Sequence, residues 1–104
     1  MLIIQIIKNL LSISKFYFKR MPKIIRINTK KGPKALGPYS TASIYQNTMY
    51  ISGQIGIDPE SGELVSNDVE GQAKRAMDNL KLFMDEVKVD MNSIIKSTVY
   101  LKVF

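Results

Sequence analysis

Apolar residues in the middle of the chain recur every three or four positions, a spacing typical of an amphipathic helix. They run from position 69 to position 87, and charged residues, Arg75 among them, occupy the opposite side. Asn67 precedes Glu70 by three residues, the spacing of a capping box, which predicts that Asn67 caps this helix. The residues predicted to pack in the core are Val69, Ala73, Ala76, Met77, Leu80, Phe83, Met84 and Val87.

Shorter segments of β-type composition flank this helix. Three precede it, at Ile24–Ile27, Ala42–Tyr45 and Thr48–Gln54, and one follows it, from Ile95 to Val103. Gln46-Asn47 separates the second and third segments, which predicts a tight hairpin turn. The order β-β-β-α-β predicts an α+β fold in which the helix covers one face of a mostly antiparallel sheet.

The first twenty residues form a basic segment without acids. On a helix they would present one polar side and one apolar side, so the segment resembles an organellar presequence. Lys8 interrupts the apolar run too early for a transmembrane span. We therefore divide the chain into an N-terminal extension, 1–20, and a domain, 21–104. Two alternatives stay open: an appended helix that packs on the domain or on a membrane surface, and a start of the protein at Met21.

Location in the cell follows from that division. If residues 1–20 are a presequence, we expect the protein in mitochondria or another organelle, and otherwise in the cytoplasm.

Composition excludes several kinds of chemistry. The 104 residues contain no Cys and no His, so thiol nucleophiles, Ser-His-Asp catalysis and most transition-metal sites are excluded. We expect no metal and no cofactor. The net charge is +6, but the first twenty residues hold four bases and no acid, and the basic cluster from Lys23 to Lys34 contains no aromatic residue for base stacking. We therefore do not expect a nucleic acid as the partner.

Two short motifs carry the candidate chemistry. Gly37-Pro38-Tyr39-Ser40 forms a rigid turn that presents a Tyr hydroxyl, and Ser52-Gly53-Gln54 ends a predicted strand with a Gly that lets a ligand approach the backbone. We expect Tyr39, Ser52, Gly53 and Gln54 to bind a small anionic or carbonyl-like molecule. Two alternatives stay open: Tyr39 packs beside its turn, and Gly53 forms a β-bulge.

The same motifs resemble a known family. Gly37-Pro38-Tyr39-Ser40, Tyr50-Ile51-Ser52-Gly53-Gln54-Ile55 and Asp58-Pro59-Glu60-Ser61-Gly62-Glu63-Leu64-Val65 are similar to the Rid family, also called YjgF-type or L-PSP proteins. Lys96-Ser97-Thr98-Val99-Tyr100-Leu101 continues the likeness, which runs from about Met21 to Lys102.

The resemblance implies a chorismate-mutase-like α+β fold and a homotrimer with ligand clefts between subunits. It implies hydrolysis of reactive 2-imino acids to 2-oxo acids and ammonia, with Tyr39, Ser52, Gly53 and Gln54 in the substrate-binding cleft. One alternative is a non-catalytic protein that binds a small ligand or a protein. The other is a translation inhibitor with endoribonuclease activity.

The resemblance also implies an incomplete domain over 21–104. The family pattern continues beyond Lys102 with a second helix and two strands, which carry a carboxylate-binding Arg and a water-orienting Glu. The arginines of the matched region are Arg26, expected in the first strand of the domain, and Arg75, expected on the solvent side of the helix. We expect neither of them at the ligand.

Overall fold

The computed structural model describes residues 2–7 and 23–101. Within them, one long helix packs against an antiparallel sheet of five strands in the order β2-β3-β4-β1-β5. The elements, in chain order, are β1 (Leu2–Ile7), β2 (Ile25–Ile27), β3 (Ala42–Tyr45), β4 (Thr48–Gln54), α1 (Val69–Glu86), a 3-10 turn (Met91–Ser93) and β5 (Ile94–Val99).

The hairpin of β3 and β4 follows the sequence pattern closely. Tyr45 pairs with Thr48 across the two-residue turn, and Gln46 adopts the left-handed conformation with φ of 55°. The predicted turn and both strand ranges are confirmed. The alternation then places Ile44, Met49 and their neighbours on the face toward α1.

Strand β1 lies in the segment that the sequence analysis compared with a presequence. The sequence analysis considered residues 1–20 as they would lie on a helix, whereas Leu2–Ile7 is a strand between β4 and β5. Four of its six residues are Ile, which is stiff at χ1 and favours strands, and both backbone edges find a hydrogen-bonded neighbour. The element order is therefore β-β-β-β-α-β. Residues 8–20 lie outside the described residues.

Helix α1 begins one residue later than the capping pattern predicts. Asp68 is the N-cap, and its carboxylate accepts the Gly71 N–H at 2.5 Å, so the prediction of Asn67 is wrong. Asp and Asn cap helices about equally well, so the type of residue does not decide between positions 67 and 68. The N-cap is the residue whose side chain accepts a hydrogen bond from a free backbone N–H of the first turn. Part of the predicted apolar face is also solvent-exposed, since Ala73 and Met77 are not buried.

The hydrophobic core lies between α1 and the sheet. Leu80, Phe83 and Met84 are the buried apolar side chains of the last helical turns, and they pack against residues of β3 and β4. Each such side chain stabilises the fold by about 1.5–3 kcal/mol relative to exposure. The sheet and loop residues of this core are Ala42, Ile44, Met49, Ile51 and Val89.

Strand β5 is shorter than predicted. It covers Ile94–Val99 instead of the expected stretch to Val103, and positions 102 and 103 lie outside the described residues. In the described sheet, β5 occupies an edge and is joined to the other strands through β1. No helix of the described part of the chain has the length and apolar character to cross a bilayer.

Candidate functional site

The four predicted ligand-binding residues line one small cavity. Tyr39, Ser52, Gly53 and Gln54 border a space of about 40 Å³ between the end of β4 and the loop that runs from residue 29 to residue 41. The structure therefore brings together two motifs that are twelve residues apart in the chain. Their role in binding a substrate stays a prediction.

Tyr39 is held by its own turn. Its N–H donates to the Gly37 carbonyl at 2.8 Å, and its hydroxyl oxygen accepts the Leu36 N–H at 3.3 Å. The side chain is 51% exposed, so it borders the cavity and also meets solvent. Because a phenol both accepts and donates, the O–H proton of Tyr39 stays available for a ligand.

The Ser52 hydroxyl is hydrogen-bonded within the fold. Its hydroxyl donates toward the Ser40 carbonyl and toward the Thr41 carbonyl, the latter at 2.9 Å. A hydroxyl has one proton, which these two carbonyls share, so Ser52 can only accept a hydrogen bond from a ligand. The bonds tie β4 to the segment that follows Tyr39, and this positions the Tyr39 turn beside the cavity.

Gly53 lies at an irregularity in β4. The pairing with β1 passes from Ile51 to Gln54 on β4 while it passes from Ile4 to Leu2 on β1, so β4 has one extra residue there. The sequence analysis left open that Gly53 forms a β-bulge, and the backbone has a bulge at this point. A bulge leaves peptide groups of β4 outside the regular ladder of hydrogen bonds. Gln54 donates its side-chain N–H to the Ser52 carbonyl at 3.1 Å and keeps its amide oxygen for other contacts.

A carboxylate that sequence reasoning missed holds the loop over the cavity. Glu86, at the end of α1, accepts the Thr29 hydroxyl at 2.6 Å and the N–H groups of Lys30 and Lys31 at 2.9 Å each. Burial raises the pKa of Glu86, but these hydrogen bonds outweigh it and the pKa is lowered from its ordinary value. No local pattern signals this contact, because 55 to 57 residues separate the partners along the chain.

Asn79 lines the cavity from the helix side. It is 1% exposed, and its side-chain N–H groups donate to the Ile57 carbonyl at 2.8 Å and the Ile55 carbonyl at 3.1 Å. These bonds fix the chain just after β4. A signal existed in the sequence, because Asn79 is a polar residue at core spacing between Ala76 and Phe83.

Arg75 differs from its predicted position. It is half-buried rather than on the solvent side, and its Nε–H donates to the Asn79 side-chain oxygen at 3.0 Å. The helix turn brings it there because residues four apart share one face. Arg75 therefore completes the hydrogen bonding of Asn79 behind the cavity.

The described residues that line the cavity include a basic side chain and no acidic one. Among the described residues that line it, Lys34 and Tyr39 are titratable and none is a carboxylate. Tyr39 and Ser52 also border a wider groove of about 650 Å³, which Arg26, Ser43 and Tyr50 line on the side of the sheet away from the core. The arrangement can donate hydrogen bonds to an anionic or carbonyl-like ligand.

Comparison with known proteins gives a consistent result. The profile of the family described as Endoribonuclease L-PSP matches residues 29–103. The chain is 46% identical over 76 residues to a RutC family protein of Pyrococcus abyssi, which covers 73% of this chain and 60% of that protein. It is 47% identical over 83 residues to the 2-iminobutanoate/2-iminopropanoate deaminase of Mus musculus, covering 78% and 62%. The chain thus spans about three fifths of the length of these relatives.

Solved structures agree. The Rid family protein YyfA from Yersinia pestis is 36% identical with a TM-score of 0.62, covering 67% of this chain and 56% of that one. RidA from an Antarctic Psychrobacter is 40% identical with a TM-score of 0.59, covering 65% and 55%. The predicted α+β fold of the chorismate-mutase-like type is confirmed.

Proposed function

Because the chain belongs to the Endoribonuclease L-PSP family, which is the Rid or YjgF family, we propose that it acts on small 2-imino acids. In this reaction, water adds to the imine carbon, and the resulting carbinolamine collapses to a 2-oxo acid and ammonia. Relatives in Mus musculus and Homo sapiens are named 2-iminobutanoate/2-iminopropanoate deaminase, at 47% and 46% identity. Their substrates are the first to test on this chain.

The observation that carries the proposal is the shared cavity of the two motifs. Tyr39 presents an O–H proton beside the bulged end of β4, where backbone groups at Gly53 leave the ladder. Addition of water to an imine moves an electron pair onto the imine nitrogen, and a donor held in place beside that nitrogen stabilises the charge that develops there. Glu86 and Asn79 hold the two walls from behind, so the donor is positioned before the ligand arrives.

A second candidate is binding without turnover. It is favoured by the absence of a carboxylate among the described lining residues, since water attack on an imine needs a positioned proton acceptor. The relatives extend beyond the matched part, and the resemblance implies that the water-orienting Glu lies in that extension. We therefore propose turnover for a chain that carries such a segment, and ligand binding for the 104 residues.

A coupled assay tests whether either version of the chain turns over the imine. A pyridoxal-phosphate threonine dehydratase generates 2-iminobutanoate, and 2-oxobutanoate formation is followed with the 104-residue chain, with a version extended by a relative's C-terminal segment, and with neither. We expect acceleration by the extended version and its loss in Tyr39→Phe, while Tyr45→Phe, on the exposed hairpin, serves as the matched control. No acceleration by either version would refute the deaminase proposal.

RNA cleavage is the alternative that the family description raises. The chain contains no His, and no carboxylate lines the described cavity, so these residues provide no acid–base pair for attack by a ribose hydroxyl. Incubation of the same protein with single-stranded RNA, followed on a gel, checks this; cleavage that disappears in Tyr39→Phe would favour the ribonuclease instead.

We further propose a homotrimer. Apolar side chains on and just after the edge strand β5 stay solvent-exposed in the single chain: Ile95 by 58%, Val99 by 54% and Leu101 by 62%. An edge strand with such side chains is commonly covered by another chain.

A further inference from the structure

Strand β1 separates two strands that are not paired with each other. In the order β2-β3-β4-β1-β5, it lies antiparallel to β4 on one side and to β5 on the other. Within the described sheet, β5 pairs with β1 alone. Without β1, the facing edges of β4 and β5 would present unpaired N–H and C=O groups about 10 Å apart, which leaves room for one strand. We call this place between β4 and β5 the central strand position.

The register indicates which kind of segment the central strand position accepts. Residue 6 lies opposite Met49 and residue 4 lies opposite Ile51, and these partners are 0% and 2% exposed. Residue 5 lies opposite Tyr50, which is 46% exposed, and opposite the exposed Lys96. Because residues opposite each other share one face of a sheet, the position favours an apolar, a polar and an apolar residue in succession. Ile4-Gln5-Ile6 has this pattern.

The strand and the two edges that it pairs with come from separate parts of the chain. Strands β4 and β5 lie within residues 29–103, the range that the family profile matches, whereas residues 2–7 precede that range. Three strand spacings, about 14 Å, separate β1 from β2 across the sheet. The connection between them, positions 8–24, can extend to about 55 Å, so its length does not require that residues 2–7 pair within their own chain.

A second copy of the chain supplies the same strand. Residues 2–7 of a neighbouring molecule would form the hydrogen bonds that β1 forms in its own chain, with the same register and the same two irregularities. Exchange of identical elements needs no new contact, and its main cost is the entropy of association. Mass action reduces that cost as the protein concentration rises, so exchange is favoured in concentrated protein.

We propose that the central strand position binds residues 2–7 of a second copy of this chain in place of the chain's own β1. Each copy then donates its strand to the other, which closes a symmetric dimer. The exchange requires no ligand and no turnover, so it stands or falls apart from the proposed function.

Single cysteines test the exchange, because the natural chain contains none. Gln5→Cys and Lys96→Cys change residues that pair between β1 and β5, and paired residues of antiparallel strands are about 5 Å apart, within reach of a disulfide. The two single variants are mixed in urea, refolded together at a series of protein concentrations and oxidised. We expect a disulfide-linked heterodimer, identified by mass spectrometry at twice the chain mass of 11.8 kDa, in a yield that rises with concentration.

Three controls accompany the mixture. Glu63→Cys, in an exposed turn, takes the place of Lys96→Cys to measure random collision, and we expect it to give about tenfold less heterodimer. The double variant Gln5→Cys/Lys96→Cys, oxidised in dilute solution, should form its disulfide within one chain. Leu101→Lys in both partners charges an exposed side chain just after β5 and should leave the heterodimer in place.

A matched pair of lysines tests the register. Ile6→Lys in the Gln5→Cys chain should lower the heterodimer yield about tenfold, because residue 6 lies opposite the buried Met49 and a charge there is costly to bury. Ile7→Lys, opposite the half-buried Thr48 at the end of the strand, should leave most of the yield.

Every other result overturns the exchange. A yield no higher than with Glu63→Cys, while the double variant closes its internal disulfide, would show that β1 stays in its own chain. Absence of both disulfides would remove β1 from the central strand position. Loss of the heterodimer on Leu101→Lys would assign it to contact through the β5 edge, and equal yields with Ile6→Lys and Ile7→Lys would contradict the register of the exchanged strand.

Discussion

Asn79 shows how one buried amide secures the exit from β4. Its two N–H groups satisfy the carbonyls of Ile55 and Ile57 inside the protein, where no water replaces them readily. Asn79→Leu keeps the branching at Cγ and the number of side-chain heavy atoms, and it leaves both carbonyls without that donor. We expect the free energy of unfolding to fall by about 2–3 kcal/mol, measured as a lower urea midpoint at an unchanged m-value.

The exposed Asn67 provides the matched control, since it neither caps α1 nor lies in the core. Asn67→Leu should change the free energy of unfolding by less than about 0.5 kcal/mol. If Asn79→Leu proved as stable as the wild type, the two carbonyls would have other partners and the wall of the cavity would not depend on Asn79.

Glu86 makes the loop over the cavity sensitive to pH. Burial acts to raise its pKa, but hydrogen bonds from the loop outweigh it and lower the pKa of the folded state. The stabilisation is therefore fully present above the unfolded-state pKa and is lost as pH falls through the folded-state pKa. We expect Glu86→Gln to lower the free energy of unfolding by about 1 kcal/mol near neutral pH and by progressively less in acid.

Urea unfolding at a series of pH values measures this difference between wild type and Glu86→Gln. Glu63→Gln, in an exposed turn, is the control for loss of a negative charge. A constant difference between wild type and Glu86→Gln down to acid pH would contradict the assignment of the clamp to the Glu86 carboxylate.

At the level of elements, the sequence pattern predicts what depends on local periodicity. The alternation in Ala42–Tyr45 and Thr48–Gln54 and the turn between them match the structure, because neighbouring residues decide both. The N-cap was wrong by one residue, since several polar residues there can cap equally well. The exposure of Met77 was missed because helical periodicity shows which side of a helix is apolar. It does not show how much of that side the rest of the protein covers.

Strand β1 is the element that the pattern could not predict, because its partners are 41 to 97 residues away in the chain. It lies before the range that the family profile matches, residues 29–103, and yet it joins β5 to the sheet. A removed presequence and a strand in the folded domain exclude each other in one molecule. We expect deletion of residues 1–20 to abolish amide exchange protection in β5 while β3 and β4 stay protected in their shared hairpin.

Hydrogen–deuterium exchange read by NMR distinguishes the two cases, and the amides of the hairpin are the internal reference. Unchanged protection in β5 after the deletion would contradict the place of β1 in the sheet. It would then favour the presequence, which a fluorescent fusion of residues 1–30 tests by its location in the cell.

For the molecule as a whole, the two motifs predicted four of the residues that line the cavity: Tyr39, Ser52, Gly53 and Gln54. Tyr39 and the Ser52–Gln54 segment meet because both flank the β3–β4 hairpin, whose pairing is local. Glu86 was missed because its contacts join residues 55 to 57 positions apart, and Asn79 was missed although its core spacing offered a signal. A sequence pattern thus predicts which groups lie together near a turn. It does not predict the long-range contacts that support them.

Assembly is a property of the whole molecule to which the exposed side chains around β5 contribute. The apolar edge around β5 predicts association, and the proposed homotrimer should have three times the chain mass of 11.8 kDa by light scattering after size exclusion. Val99→Lys places a charge on that edge and should release monomers, because an unpaired charge is costly to bury in an interface. Leu64→Lys adds the same charge at another exposed apolar position, 55% exposed, and should leave the trimer intact. A monomeric wild type would refute the trimer, and a Val99→Lys protein of unchanged mass would show that the subunits meet through a different surface.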